Sequence, residues 1–196
     1  MSLVDIPAGQ LAAVVTYLEM RARPDELAIP PSPLTLHPVA PGPAEYRALF
    51  RAVGARWLWF SRLVMSDADL RAIIDHPGVE LFEVRDGDQA VGMLELDRRV
   101  GQECELSFVG LVPAYAGQGH GRWLLAEAVA RAWAGGTSRV HVHTCSLDHP
   151  AALGAYRRAG FAAIARKVET FIDPRLAGIL PRDAAPHVPL VEPRGI

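Results

Sequence analysis

Hydrophobic and polar positions change period along this chain, and each change marks an element. Residues 12–22, AAVVTYLEMRA, are rich in β-branched residues and predict a strand, with a short helix as the alternative. Seven prolines between Arg23 and Pro43 break the next stretch into loop, with a short extended piece at 34–38. Residues 44–64 predict a helix followed by an aromatic connection, RWLWFSR. Ser66 to Gly78 reads as a compact helix: Ser66 caps it, Asp67 and Asp69 suit its positive end, and Pro77-Gly78 stop it. Two extended runs around Asp86-Gly87-Asp88 form a hairpin over 79–99, and 103–112 is another strand.

Residues 121–136 return to helical period, with Leu124, Leu125, Ala128, Val129 and Ala132 on one face. Glu127 and Arg131 pair across one turn on the solvent side, and Gly135-Gly136 end the helix. A strand at 139–144, a short helix within 149–161 and a final strand at 162–172 follow. From Asp173 the Pro-rich tail is expected along the surface or partly mobile. The interleaving of strands and helices is a mixed α/β pattern.

Composition narrows this little. A chain of 196 residues, half hydrophobic, reads as a single domain over 1–196 with its core at about 34–172. The net charge of −2 offers no basic excess for nucleic acid. Lys167 is the only lysine, so arginine carries nearly all the positive charge. Cys104 and Cys145 are too few for a disulfide framework or a multi-cysteine metal site. No apolar stretch is long enough to span a bilayer, and the start MSLVDIPAGQ lacks the basic region of a signal peptide. No membrane partner is therefore expected, and a cytoplasmic protein is the default.

The informative stretch is VGLVPAYAGQGHGRWLL, where a strand runs into Gly117, Gly119 and Gly121 and then into a helix. First-turn N–H groups of a helix lack internal partners and its dipole favours an anion, while glycine lets backbone approach the ligand. The dinucleotide fingerprint fails, because its third glycine would fall on Arg122 or Leu124. The P-loop fails for want of a lysine. What remains is [QR]-x-x-G-x-[GA] after a strand and a proline.

This stretch resembles the pyrophosphate loop of the GNAT superfamily, the acetyl-CoA-dependent N-acyltransferases. HPAALGAYRRAGF resembles the family's second hallmark, a turn with Ala and Leu leading to Tyr and Gly-Phe. The two motifs stand in the family's order, separated by one helix and one strand, and the likeness spans about 34–171. Two positions depart from the pattern: Ala116 replaces the usual Arg or Gln, and His149 the usual Asn. The resemblance implies a mixed, splayed sheet with helices on both faces. It also implies direct transfer of acetyl from acetyl-CoA to a primary amine, of a small molecule or a protein. A catalytically silent CoA-binding or regulatory module is the alternative. No metal is expected, and a homodimer is compatible.

Residue by residue, the likeness assigns the CoA cradle to Gly117, Gln118, Gly119, His120, Gly121 and Arg122. Val109 and Leu111 would bind pantetheine through their backbone, with His149 beside it, and Tyr156 would protonate the leaving thiolate. Glu105 is the first candidate base, with burial expected to raise its pKa, and Glu95 the second. Strand alternation puts Glu103, Glu105 and Ser107 on one face with Val109 and Leu111. Trp57, Trp59 and Phe60 would shape the amine pocket, unless they only pack helices onto the sheet. His141 and His143 share a face; the H-x-H spacing can bind a metal but has no third ligand at a defined spacing, so a polar wall or plain surface histidines is preferred.

Overall fold

The computed structural model describes residues 3–25 and 28–193; the expected loop at Glu26 and Leu27 and the last three tail residues lie outside them. Seven strands form one sheet: β1 (Gln10–Met20), β2 (Thr35–Pro38), β3 (Val79–Asp86), β4 (Gln89–Asp97), β5 (Glu103–Leu111), β6 (Arg139–Cys145) and β7 (Ala162–Ile172). Their spatial order is β2-β3-β4-β5-β6-β1-β7, so the N-terminal strand sits between the last two. Every pairing is antiparallel except β5 with β6.

Helices α1 (Pro43–Gly54) and α2 (Asp67–Ile74) cover one face of β3 and β4. Pro43 sits in the first turn of α1, and Glu45 accepts from the Gly42 amide at 3.0 Å. Ser66 caps α2 through the Asp69 amide, as its sequence demands. Tyr46, Phe50, Val53, Leu70 and Ile74 pack on Leu81 and Met93. Phe50 is fully buried, so its loss to alanine costs about 3–5 kcal/mol.

The opposite face carries α3 (His120–Ala132) and α4 (Ala152–Arg158). All five predicted apolar positions of α3 are buried, against Leu94, Leu96, Leu106, Val140 and Val142, and Tyr156 and Phe161 join them. Glu127 and Arg131 pair at 3.3 Å. The sheet is therefore mixed, with helices on both faces, as expected.

Two features shape the centre. Strands β5 and β6 pair over only three positions, Glu103 with Arg139 through Glu105 with His141, and then splay apart. Within β5 the register to β4 jumps: Leu106 faces Leu96, but Phe108 faces Glu95. Ser107 is the extra residue of a β-bulge, and beyond it the side-chain phase reverses. Val109 and Leu111 consequently join the α3 core, whereas Phe108 packs on α1. The expected sharing of one face by Glu103, Glu105, Val109 and Leu111 is corrected by this bulge.

The tail is corrected too. Arg175 is buried, paired with Asp173 at 2.7 Å, and donates to the Val188 carbonyl at 2.8 Å and the Ala184 carbonyl at 3.2 Å. Leu180 and Ala185 pack on Leu58 in the connection after α1. One guanidinium satisfying several carbonyls lets a loop-like segment bury apolar side chains without orphaning its backbone.

Candidate functional site

The glycine loop follows β5 through a 3-10 turn, Pro113–Tyr115. Gly117 and Gly119 have φ of 79° and 88°, the left-handed region that glycine reaches without strain, and Gly119 is the N-cap of α3. No heavy atom lies within 4 Å of where a Cβ would stand on Gly117, Gly119 or Gly121. Gly121 needs neither a special φ nor room for neighbours, so its bareness serves the open space in front of the helix. The amides of residues 117–121 make no hydrogen bond to the described residues, whereas the Arg122 amide is taken by Gly119 O at 3.0 Å. Five donors without a partner among the described residues thus lie at the positive end of α3. The side chains here brace the loop: Gln118 donates to the Ala114 carbonyl at 2.7 Å, and His120 Nδ1 meets Ser32 Oγ at 3.3 Å.

From this loop the gap between β5 and β6 opens. The Val112 amide bonds Val91 O on β4, and Gly110 O lies against Gly92. Antiparallel alternation then turns the N–H and C=O of Val109 and Leu111 away from β4, into the gap. Across it, Asp148 accepts from Trp59 Nε1 at 3.0 Å, Thr144 Oγ1 at 2.8 Å and the Cys145 amide at 2.8 Å. Tyr156 lies in the same core, its hydroxyl without a hydrogen-bond partner among the described residues. Burial, reinforced by the Asp148 charge, pushes its pKa well above the ordinary phenol value, so it holds its proton. His149 begins the turn into α4 and accepts from the Ala151 amide at Nδ1.

On the other side of the gap the sheet presents polar groups. His143 Nδ1 donates to Glu105 at 3.1 Å, and His141 stands 3.6 Å from Glu103. Tyr17 packs beside His143, with Lys167 Nζ 4.9 Å from the Tyr17 ring centre. The hydrogen bond from His143 lowers the Glu105 pKa despite its burial, which overturns the expected rise. The same bond raises His143 against its own burial, helped by the Glu105, Asp148 and Glu169 charges. The bond thus moves the imidazole up from its ordinary value and the carboxylate down from its own. Among the described residues no three His, Cys, Asp or Glu side chains gather into a metal-sized cluster.

Glu95 is elsewhere engaged. Fully buried, it accepts from Tyr46 at 2.5 Å and from Arg62 at 2.6 Å, with Arg62 over the Phe108 ring. Both oxygens are committed, so it is a brace between β4 and the α1–α2 connection. The three aromatics of that connection diverge. Trp59 packs on Phe50 and Phe108 and reaches Asp148; Trp57 lies between His149 and His187; Phe60 packs at a tilt against Phe171. Only Trp59 reaches the gap between the strands. The clamp by Asp148 and the partnership of Arg62 with Glu95 had no sequence signal, since each joins residues far apart in the chain. The register of β5 with β6 is what couples Glu105 to His143.

Comparisons with known proteins agree with this geometry. The acetyltransferase (GNAT) family model matches residues 46–161. A GCN5-related N-acetyltransferase from Sphaerobacter thermophilus superposes with a TM-score of 0.60 at 19% identity, covering 85% of this chain and 52% of its own. A conserved protein from Staphylococcus epidermidis gives 0.59 at 15% identity, covering 84% and 63%. A GCN5-related N-acetyltransferase from Kribbella flavida gives 0.52 at 22% identity, covering 87% and 63%. The chain thus spans about half to two-thirds of the length of these structures, and the likeness is one of fold. A search of curated sequences gives no match. No helix among the described residues is long and apolar enough to cross a membrane. With the family match spanning more than half of the sequence, the chain belongs to the GNAT acetyltransferase family.

Proposed function

We propose that this chain is an acetyl-CoA-dependent N-acetyltransferase that moves acetyl directly to a primary amine of a small molecule or a protein. The observation that carries the reading is the set of five free amides on bare glycine-rich backbone at the start of α3, continuous with the gap edged by Val109 and Leu111. Acetyl-CoA supplies an activated thioester and an anionic pyrophosphate. The residues fit such a co-substrate: the amides of 117–121 hold the anion, and the exposed side chain of Arg122 adds a cation. The Val109 and Leu111 backbone takes the pantetheine amides in strand fashion, and an N–H in the gap polarises the carbonyl. His149 borders this channel.

The amine approaches from the polar face. It is protonated at neutral pH, and only its neutral form attacks. Glu105 holds the His143 ring by its Nδ1–H, which leaves Nε2 to accept the proton directly or through water. Glu105 therefore acts as the positioning carboxylate of a pair. Tyr156, kept protonated, donates to the departing sulfur. Trp59 walls the amine side, while Trp57 packs against His149 and His187 and Phe60 against Phe171.

Calorimetry with acetyl-CoA, followed by thiol release across a panel of primary amines, tests the reading. The expected result is binding at a single site and amine-dependent release. Binding without release on any amine identifies the silent module; absence of binding overturns the reading.

A further inference from the structure

Strand β7 ends the sheet, and its outer edge makes no backbone hydrogen bond to the described residues. All eleven of its residues are exposed except Phe171. Its exposed apolar side chains are large: Val168 is 67% accessible and Ile172 63%, with Val14 on the neighbouring strand at 45%, and Ile164, 50% accessible, is the extra residue where β7 bulges against β1. Val14 faces Val168, and Lys167 and Glu169 alternate onto the opposite, polar face. A long edge with an apolar row is a template for another strand, and folds ordinarily blunt or cover such edges.

We propose that a second copy of this chain covers it, β7 against β7, antiparallel about a two-fold axis through Val168. Charge complementarity argues for this occupant and this register. An axis through Arg166, Lys167 or Glu169 sets that charge directly against its own copy, which is destabilising. An axis through Val168 sets Lys167 opposite Glu169 of the second copy, and Glu169 opposite its Lys167. It also sets Arg166 opposite Thr170 and Ala165 opposite Phe171. Val168 meets its own copy, and the pairs Val14–Val168 from each chain join into one apolar row across the axis. A lone lysine on an edge repels intruding strands; here the glutamate two residues on supplies its partner only in the symmetric pairing. The joined sheet runs through both copies, an isologous contact that closes on itself.

Sedimentation velocity on the wild-type chain and on charge variants tests this. The wild type is expected to form dimers by about 100 µM. Lys167→Glu and Glu169→Lys each place like charges opposite one another twice per dimer, and each should weaken association at least about tenfold. The double variant K167E/E169K exchanges the partners and should recover wild-type association, with circular dichroism showing all four proteins folded. A wild type that stays monomeric overturns the proposal. So do single variants that associate as the wild type does, or a folded double variant that fails to recover. None of these outcomes bears on the acetyltransferase reading, whose test is ligand binding and thiol release.

Discussion

Trp59 Nε1 donates to Asp148 at 3.0 Å, tying the α1–α2 connection to the β6–α4 loop across the gap between β5 and β6. The carboxylate simultaneously serves Thr144 and the Cys145 amide. Asp148→Ala strands three donors and should cost about 2–3 kcal/mol in urea unfolding. Trp59→Phe keeps most of the ring and loses one bond, about 1 kcal/mol. It should raise KM for the amine and leave that for acetyl-CoA unchanged. An Asp148→Ala protein as stable as wild type would show that the clamp is incidental.

Gly121 sits in the first turn of α3 without a positive φ, so a side chain there is compatible with the backbone. Gly121→Asp should fold normally, yet put a carboxylate where the anion is proposed to bind. Acetyl-CoA affinity by calorimetry should fall at least about tenfold, the scale of one lost charge-assisted contact together with added repulsion. Unchanged affinity would remove the loop from the binding surface.

The Glu105–His143 pair makes pH the sharpest probe. His143 lies above its ordinary 6.5, so its contribution to stability is full below 6.5 and is lost as pH rises through the raised value. Glu105 lies below its ordinary 4.5, so its contribution is full above 4.5 and is lost as pH falls through the lowered value. The charged pair thus contributes most between these limits. The proposed mechanism requires a neutral imidazole, so kcat/KM should rise with pH along a limb displaced to the alkaline side of 6.5. Glu105→Gln should move that limb toward acid and lower its plateau about ten- to a hundredfold. A limb that stays in place would mean that Glu105 does not set the titrating group.

Tyr156→Phe removes a hydroxyl that has no hydrogen-bond partner among the described residues, so stability should change by less than about 0.5 kcal/mol. Turnover should fall while KM for acetyl-CoA holds. Full activity would return Tyr156 to packing alone.

Arg62→Met tests the brace beneath the site. It leaves the Glu95 carboxylate buried and unpaired, at a cost of about 3–5 kcal/mol. Adding Glu95→Leu removes the stranded charge and should regain most of that loss. If the double variant is no more stable than Arg62→Met, packing against Phe108 is the larger contribution.

The elements of the fold were written in local pattern. Ser66 and Gly87, and the apolar stripe from Leu124 to Ala132, act within a few residues of themselves. So does the loop at Gly117 and Gly119, where backbone conformation and glycine identity coincide. What depends on register was not legible. Nothing near Ser107 announces a bulge, because the extra residue is defined only against β4. The pairing of Glu105 with His143 needs two parallel strands aligned at Glu105 and His141. Asp148 and Arg62 find their partners through the sheet, and the tail is fixed by an arginine whose acceptors are backbone carbonyls, invisible in residue types.

The bulge at Ser107 also separates what can be engineered. Residues 103 and 105 project to the face that the amine approaches in the proposed mechanism, and residues 109 and 111 to the face beneath α3. Substitution at Glu103 can therefore alter the first face while Glu105 keeps its hold on His143 and the α3 side is undisturbed, so a single strand carries two separately mutable faces. Deleting Ser107 would keep that division: Phe108 to Leu111 already face consecutive residues of β4, so losing the extra residue restores unbroken alternation and removes only the local bend and twist of the strand.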